Sequence, residues 1–140
     1  MPGIRFYQSF FAAPYMITDC NLIAFVTTKD SARAKHFYEN ILGLKLVSDD
    51  MFALVFDANG TMLRVQKVKE HHPPPHTVLG WEVADIVAEV DELSRKGVEV
   101  TRYEGILQDD KGIWTAPGNA KIAWFNDPDG NILSLTQFHS

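Results

Sequence analysis

NGTMLRVQ, residues 59–66, and DGNILSLT, residues 129–136, are one pattern written twice. Superposed, they set Met62 on Ile132, Leu63 on Leu133, Arg64 on Ser134 and Val65 on Leu135. Each is a turn that runs into an apolar strand, and Asn59-Gly60 is a strong hairpin signal. A pattern that recurs within one chain marks a repeated supersecondary unit. How far the repeat extends on either side decides the fold.

Upstream of the first copy, the apolar run Leu22 to Thr27 reads as a strand. Asp30 offers an N-cap, and Ala34, Phe37, Tyr38, Ile41 and Leu42 follow at the spacing of an amphipathic helix that Gly43 stops. Strands are expected near 44–48, 51–57 and 61–67. The second copy keeps the order. Thr77 to Val83 reads as a strand, Asp85 caps a helix with Ile86, Val90 and Leu93 on one face, and Gly97 ends it. Strands are expected over Val98 to Tyr103, Lys121 to Phe125 and Ile132 to Phe138. EGILQDDKGIWTAPGN, residues 104–119, is the longest irregular stretch, with the Gly, Pro and Asp content of a mobile surface loop.

Each unit is therefore β-α-β-β-β, and the fold class expected is α+β. A lone unit leaves one sheet face bare, so two must pack together. Module one is expected over 20–68 and module two over 77–138, within one domain spanning 20–138. The segment 69–76 holds EHHPPPH, residues 70–76, with three of the chain's five histidines. A Pro-rich stretch is stiff and extended, so it reads as a solvated linker.

At 140 residues and 46% hydrophobic, the chain has the size and composition of one domain with a real core. Its net charge of −5, with no Lys/Arg run, argues against a nucleic-acid partner. No apolar stretch reaches the roughly 20 residues of a membrane span. The single cysteine, Cys20, cannot form a disulfide within the chain, and a reducing, cytoplasmic setting is the simplest expectation. Residues 1–19 read as an N-terminal extension rather than a signal peptide, since Tyr7, Gln8 and Pro14 interrupt its apolar run. Two alternatives stand open for it: Met16 is the true start, or Phe6, Phe10 and Phe11 pack on a partner or over a pocket.

FYENILGLKL, residues 37–46, and WFNDPDGNILSLTQF, residues 124–138, in this order resemble the vicinal oxygen chelate superfamily of glyoxalases, extradiol dioxygenases and bleomycin and fosfomycin resistance proteins. The resemblance covers about residues 20–138. It implies two tandem β-α-β-β-β modules that form a curved mixed sheet around a cleft, often completed by a homodimer. Catalytic members of that superfamily hold a divalent metal with His, Glu or Gln from the first and last strands of both units. Here those positions fall on Ile23, Arg64, Val78 (or Leu79) and Ser134. Ile, Val and Leu donate no lone pair, Arg64 is a permanent cation, and Ser134 is a poor ligand unless ionised. No metal and no cofactor is expected. A displaced site using His76 and Gln66 is the alternative.

The expected ligand-binding cleft comprises Phe25, Arg64, Gln66, Glu82, Tyr103, Trp114 and Ser134. Arg64 suits a carboxylate or phosphate. Glu82 is either its ion-pair partner or a base. Tyr103 and Trp114 flank the long loop, where an aromatic ring stacks on a planar ligand, pins the loop or covers a dimer interface. Trp81 is expected in the core, and Trp124 in the core or at an interface. No nucleophile constellation is visible, so catalytic residues stay unassigned and turnover is an open question.

The function expected is metal-independent binding of a small molecule by a homodimer of the glyoxalase and bleomycin-resistance type. The alternative is a lyase, isomerase or dioxygenase of the same superfamily, with a displaced metal or without one. A third reading is a structural or regulatory dimer whose cleft is filled by its own side chains.

Overall fold

The computed structural model describes residues 16–138. The expectations for Phe6, Phe10 and Phe11 lie outside these residues. The chain divides between His71 and His72 into two compact units.

The first unit holds strand β1 (Ile23–Thr28), helix α1 (Ser31–Lys35, continued by a π-helical turn His36–Ile41), and strands β2 (Lys45–Asp49), β3 (Ala53–Ala58) and β4 (Thr61–Lys67). A short 3-10 turn, Ile17–Asp19, precedes it. The second holds β5 (Thr77–Glu82), α2 (Ile86–Arg95), β6 (Trp114–Thr115), β7 (Lys121–Asn126) and β8 (Ile132–Gln137). Each builds a mixed four-stranded sheet, ordered β1-β4-β3-β2 and β5-β8-β7-β6. The first and last strands of each unit run parallel, because the helix carries the chain back across the sheet, and the remaining pairs are antiparallel. The class is α+β.

Local chemistry explains most of these elements. Asp30 Oδ1 accepts from the Arg33 amide, and Asp85 Oδ1 accepts from the Ala88 amide, so each helix starts on the expected cap. Gly43 and Gly97 close the two helices with φ of +76° and +85°. Asn59 and Gly60, at φ of 51° and 92°, make the tight turn between β3 and β4, and Asp57 Oδ1 accepts from the Gly60 amide. The NDPDGN turn satisfies itself: Asp127 Oδ1 accepts from the Asp129 and Asn131 amides, and its Oδ2 accepts from Asn131 Nδ2 at 2.8 Å. Two polar side chains can therefore be buried at the mouth of β8.

The helices cover one face of each sheet. Ala34, Phe37 and Tyr38 of α1 are buried, as are Leu54, Phe56, Leu63 and Val65 beneath. Tyr38 lies 5.8 Å from Phe56 between ring centroids. In the second unit Ile86, Val90 and Leu93 are buried with Ala123, Phe125, Leu133 and Leu135. Gln137 Oε1, from the end of β8, accepts from the Ile86 amide at 2.9 Å and ties the start of α2 to its sheet. Half-buried Trp81 shares this face, in register with Leu135.

The helices differ by one residue. Thirteen positions separate cap from glycine in the first unit (43 − 30) and twelve in the second (97 − 85). The extra residue is absorbed in the π-helical turn, where the Leu42 amide donates to Phe37 O, five residues back.

Two expectations need correction. Val98 to Tyr103 is not a strand: its one ladder-like contact is the Thr101 amide on Trp124 O, while the Gln108 side chain takes the Thr101 carbonyl and the Tyr103 amide and the Val98 amide donates back to Leu93 O. The edge strand is instead β6, Trp114–Thr115, inside the stretch read as irregular. EHHPPPH is not wholly solvated either, because His71 is half-buried on Thr27.

Candidate functional site

Strand alternation sorts the expected site residues without further assumption. The sheet face away from α1 carries two lateral rows across β1, β4 and β3: Phe25, Arg64 and Val55, then Thr27, Gln66 and Ala53. Val55 and Met62 are buried there and form an apolar floor. Phe25 stands 52% exposed beside the half-buried Arg64, and Gln66 is exposed. Among the described residues of its unit, Arg64 forms no ion pair. The first unit thus brings together an aromatic ring, a cation and an amide on one face.

The corresponding face of the second unit has a different chemistry. Gly80 faces Ser134, and Ser134 faces Trp124. A side chain at Gly80 would collide, since its Cβ would lie 2.7 Å from Ser134 Oγ. One row further on, Glu82 pairs with Thr136 and is exposed, with no ion pair among the described residues of its unit. Beside Ser134 rises an aromatic wall. Trp114 and Trp124 stack at 5.9 Å with 29° between planes, and Tyr103 meets Trp124 edge-on at 5.5 Å.

That wall is held by the loop between α2 and β7, which is densely bonded. Gln108 Nε2 donates to Thr101 O and Gly112 O, while its Oε1 accepts from the Tyr103 amide. Arg102 donates to the carbonyls of Asp109 and Asp110 at 2.6 and 2.7 Å. Asp109 Oδ1 accepts from the Lys111 and Ile113 amides. Lys111 Nζ reaches Asp91 at 2.6 Å, and this carboxylate raises the lysine's pKa above its ordinary value. A loop with so many internal bonds presents Tyr103 and Trp114 in set positions.

Tyr103, Trp114 and Ser134 are thus neighbours in one unit, and Phe25, Arg64 and Gln66 in the other. Sequence reasoning named Trp124 but did not place it in the site, where it is the centre of the wall; its signal was parity, because Trp124 and Ser134 lie opposite one another across β7 and β8. It also missed Gly80 and the Thr27–His71 contact, whose Oγ1 and Nδ1 are 2.6 Å apart.

The four positions at which the resemblance would place metal ligands do not suit a divalent cation. Ile23 and Val78 (or Leu79) are apolar, with Val78 at a β-bulge, Arg64 carries the wrong charge, and Ser134 offers only a neutral hydroxyl. Among the described residues, no three His, Cys, Asp or Glu side chains cluster to hold a metal. His76, exposed, turns back on its own chain, with Nδ1 3.2 Å from Thr77 O. Among the described residues, no helix is long and apolar enough to cross a membrane.

Solved structures share this architecture. A glyoxalase/bleomycin resistance protein/dioxygenase superfamily member from Sphaerobacter thermophilus is 22% identical, covers 83% of this chain and 96% of its own, and gives a TM-score of 0.63. A glyoxalase/bleomycin resistance protein/dioxygenase from Alicyclobacillus acidocaldarius is 17% identical, with 86% and 92% covered and a TM-score of 0.62. Lactoylglutathione lyase from Agrobacterium tumefaciens is 17% identical, with 83% and 92% covered and a TM-score of 0.60. At these identities the likeness speaks for the fold alone. No curated protein sequence matches. The family model for the Glyoxalase/Bleomycin resistance protein/Dioxygenase superfamily matches residues 20–135, nearly the whole of both repeated units. With the repeat, the two mixed sheets and this match in agreement, the chain belongs to that superfamily.

Proposed function

We propose that this protein binds a small, partly aromatic, anionic molecule without a metal. The observation that carries the reading is the aromatic wall of Tyr103, Trp124 and Trp114, set beside small residues by a bonded loop. Preset aromatic faces stack on a planar ligand at low entropic cost. Arg64, with no ion pair among the described residues of its unit, is the cation that suits a carboxylate. The proposal includes one domain spanning 20–138 and a cytoplasmic homodimer. Free, exposed Cys20 fits a reducing compartment, and the exposed Met51, Phe52 and Leu107 are apolar side chains that a dimer would cover.

The test is a titration of the untagged protein with benzoate and 4-hydroxybenzoate, read by tryptophan fluorescence, alongside its metal content. Metal-free protein should show saturable quenching. Arg64→Ala should weaken binding roughly 10- to 100-fold and Trp114→Ala roughly three- to tenfold. Unchanged affinity in either variant would remove that residue from ligand binding. Stoichiometric metal with turnover that vanishes in His76→Ala or Gln66→Ala would replace the reading with a metalloenzyme.

A further inference from the structure

His71 belongs to the linker, yet its ring is drawn onto the first sheet, with Nδ1 2.6 Å from Thr27 Oγ1. Thr27 stands in the row next to Phe25 and Arg64, on the same face. Rows two residues apart along a strand are about 6.6 Å apart, within reach of one small molecule. The other ring nitrogen, Nε2, is shut from solvent and has no hydrogen-bond partner among the described residues. A polar atom in that state is unfavourable until a partner arrives. A neutral imidazole has one donor and one acceptor nitrogen, so the Thr27 contact sets the role left to Nε2.

We propose that His71 is a ligand-binding residue, its Nε2 taking the second polar group of a small carboxylate whose charge Arg64 holds. The proposal rests on the anionic-ligand reading above and narrows its class to hydroxy- or oxo-carboxylates. Thr27 is the positioning residue, since its hydroxyl orients the ring. The linker thereby gains a chemical role. It delivers one directional hydrogen bond to a face whose own strands supply a cation, an amide and an aromatic ring.

The experiment follows the imidazole nitrogen signals of the ¹⁵N-labelled full chain during titration with 4-hydroxybenzoate and, separately, benzoate. The His71 Nε2 signal should move with 4-hydroxybenzoate and stay still with benzoate. His71→Phe should weaken 4-hydroxybenzoate roughly tenfold and leave benzoate unchanged. The wild-type spectra decide the question even if the variant does not fold. Tryptophan quenching with a motionless His71 signal and equal affinities for both probes overturns the assignment while the proposed function stands. An Nε2 signal that reports a bound water, unchanged by either probe, also overturns it. No quenching and no shift with either probe overturns both.

Discussion

The two units repeat their strand order, their capping aspartates and their buried phenylalanines, but not the face that each sheet turns away from its helix. In the first unit the central row is Phe25, Arg64 and Val55. In the second the same row is Gly80, Ser134 and Trp124. The bulk has changed strand: a large ring on the first strand facing a small aliphatic residue became a missing side chain facing a tryptophan. The helix faces hardly differ, because both must fill a core at crystal-like density. The far faces are under no such constraint and have diverged into a charged surface and an aromatic one. A duplicated fold thus separates the residues that hold it together from those available for recognition.

The equivalence of the cores can be broken most sharply at Phe56 and Phe125. Phe56 pairs with Leu63 and Phe125 with Leu133, and both rings are fully buried. Each Phe→Ala change should lower stability by about 3–5 kcal/mol, read by urea denaturation. Similar losses would support energetic equivalence. A large loss in one unit and a small loss in the other would show that the repeat is geometric only.

A smaller effect sharpens the contrast between the far faces. Gly80→Ala should cost about 1–3 kcal/mol, because the new Cβ meets Ser134 Oγ. In a Ser134→Ala background most of that cost should vanish, a non-additivity expected of touching residues. Phe25→Ala, at the matching position but 52% exposed, should cost under about 1 kcal/mol. A Gly80→Ala cost that persists without the serine hydroxyl would move the clash elsewhere.

The smallest effect belongs to a device of the first unit. Asp50, in the turn before β3, accepts from the Phe52 and Ala53 amides at 2.7 and 3.0 Å. These bonds hold its carboxyl below the ordinary value. Its folded pKa is therefore lower than its unfolded one, so its contribution is present above the unfolded value and fades as pH falls through the folded one. Asp50→Asn should lower Tm slightly at pH 7, and the two curves should converge below about pH 4. A gap that persists in acid would mean that the charge is not responsible.

Much of this was legible in the sequence, for a physical reason. Caps, glycine stops, the Asn59-Gly60 turn and strand alternation are local, and each is stated by residues a few positions apart. What failed was non-local. Val98 to Tyr103 has strand-like composition, yet whether it joins the sheet depends on competition for the edge of β7, which Trp114–Thr115 takes. His71 read as solvated because its partner, Thr27, lies 44 residues away. Trp124 was named but left between core and interface, since only the pairing of β7 with β8 and β6 shows which rings surround it.

The π-helical turn of α1 has a consequence for how this chain tolerates change in length. One residue more than its sibling carries is held there as a widened turn, and both the cap at Asp30 and the stop at Gly43 keep their places. The insertion is thereby confined to a single loop of backbone and is not passed on to the strands. The helix serves as the expansion joint of the repeat, the place where the copies can drift in length while every strand downstream keeps its parity.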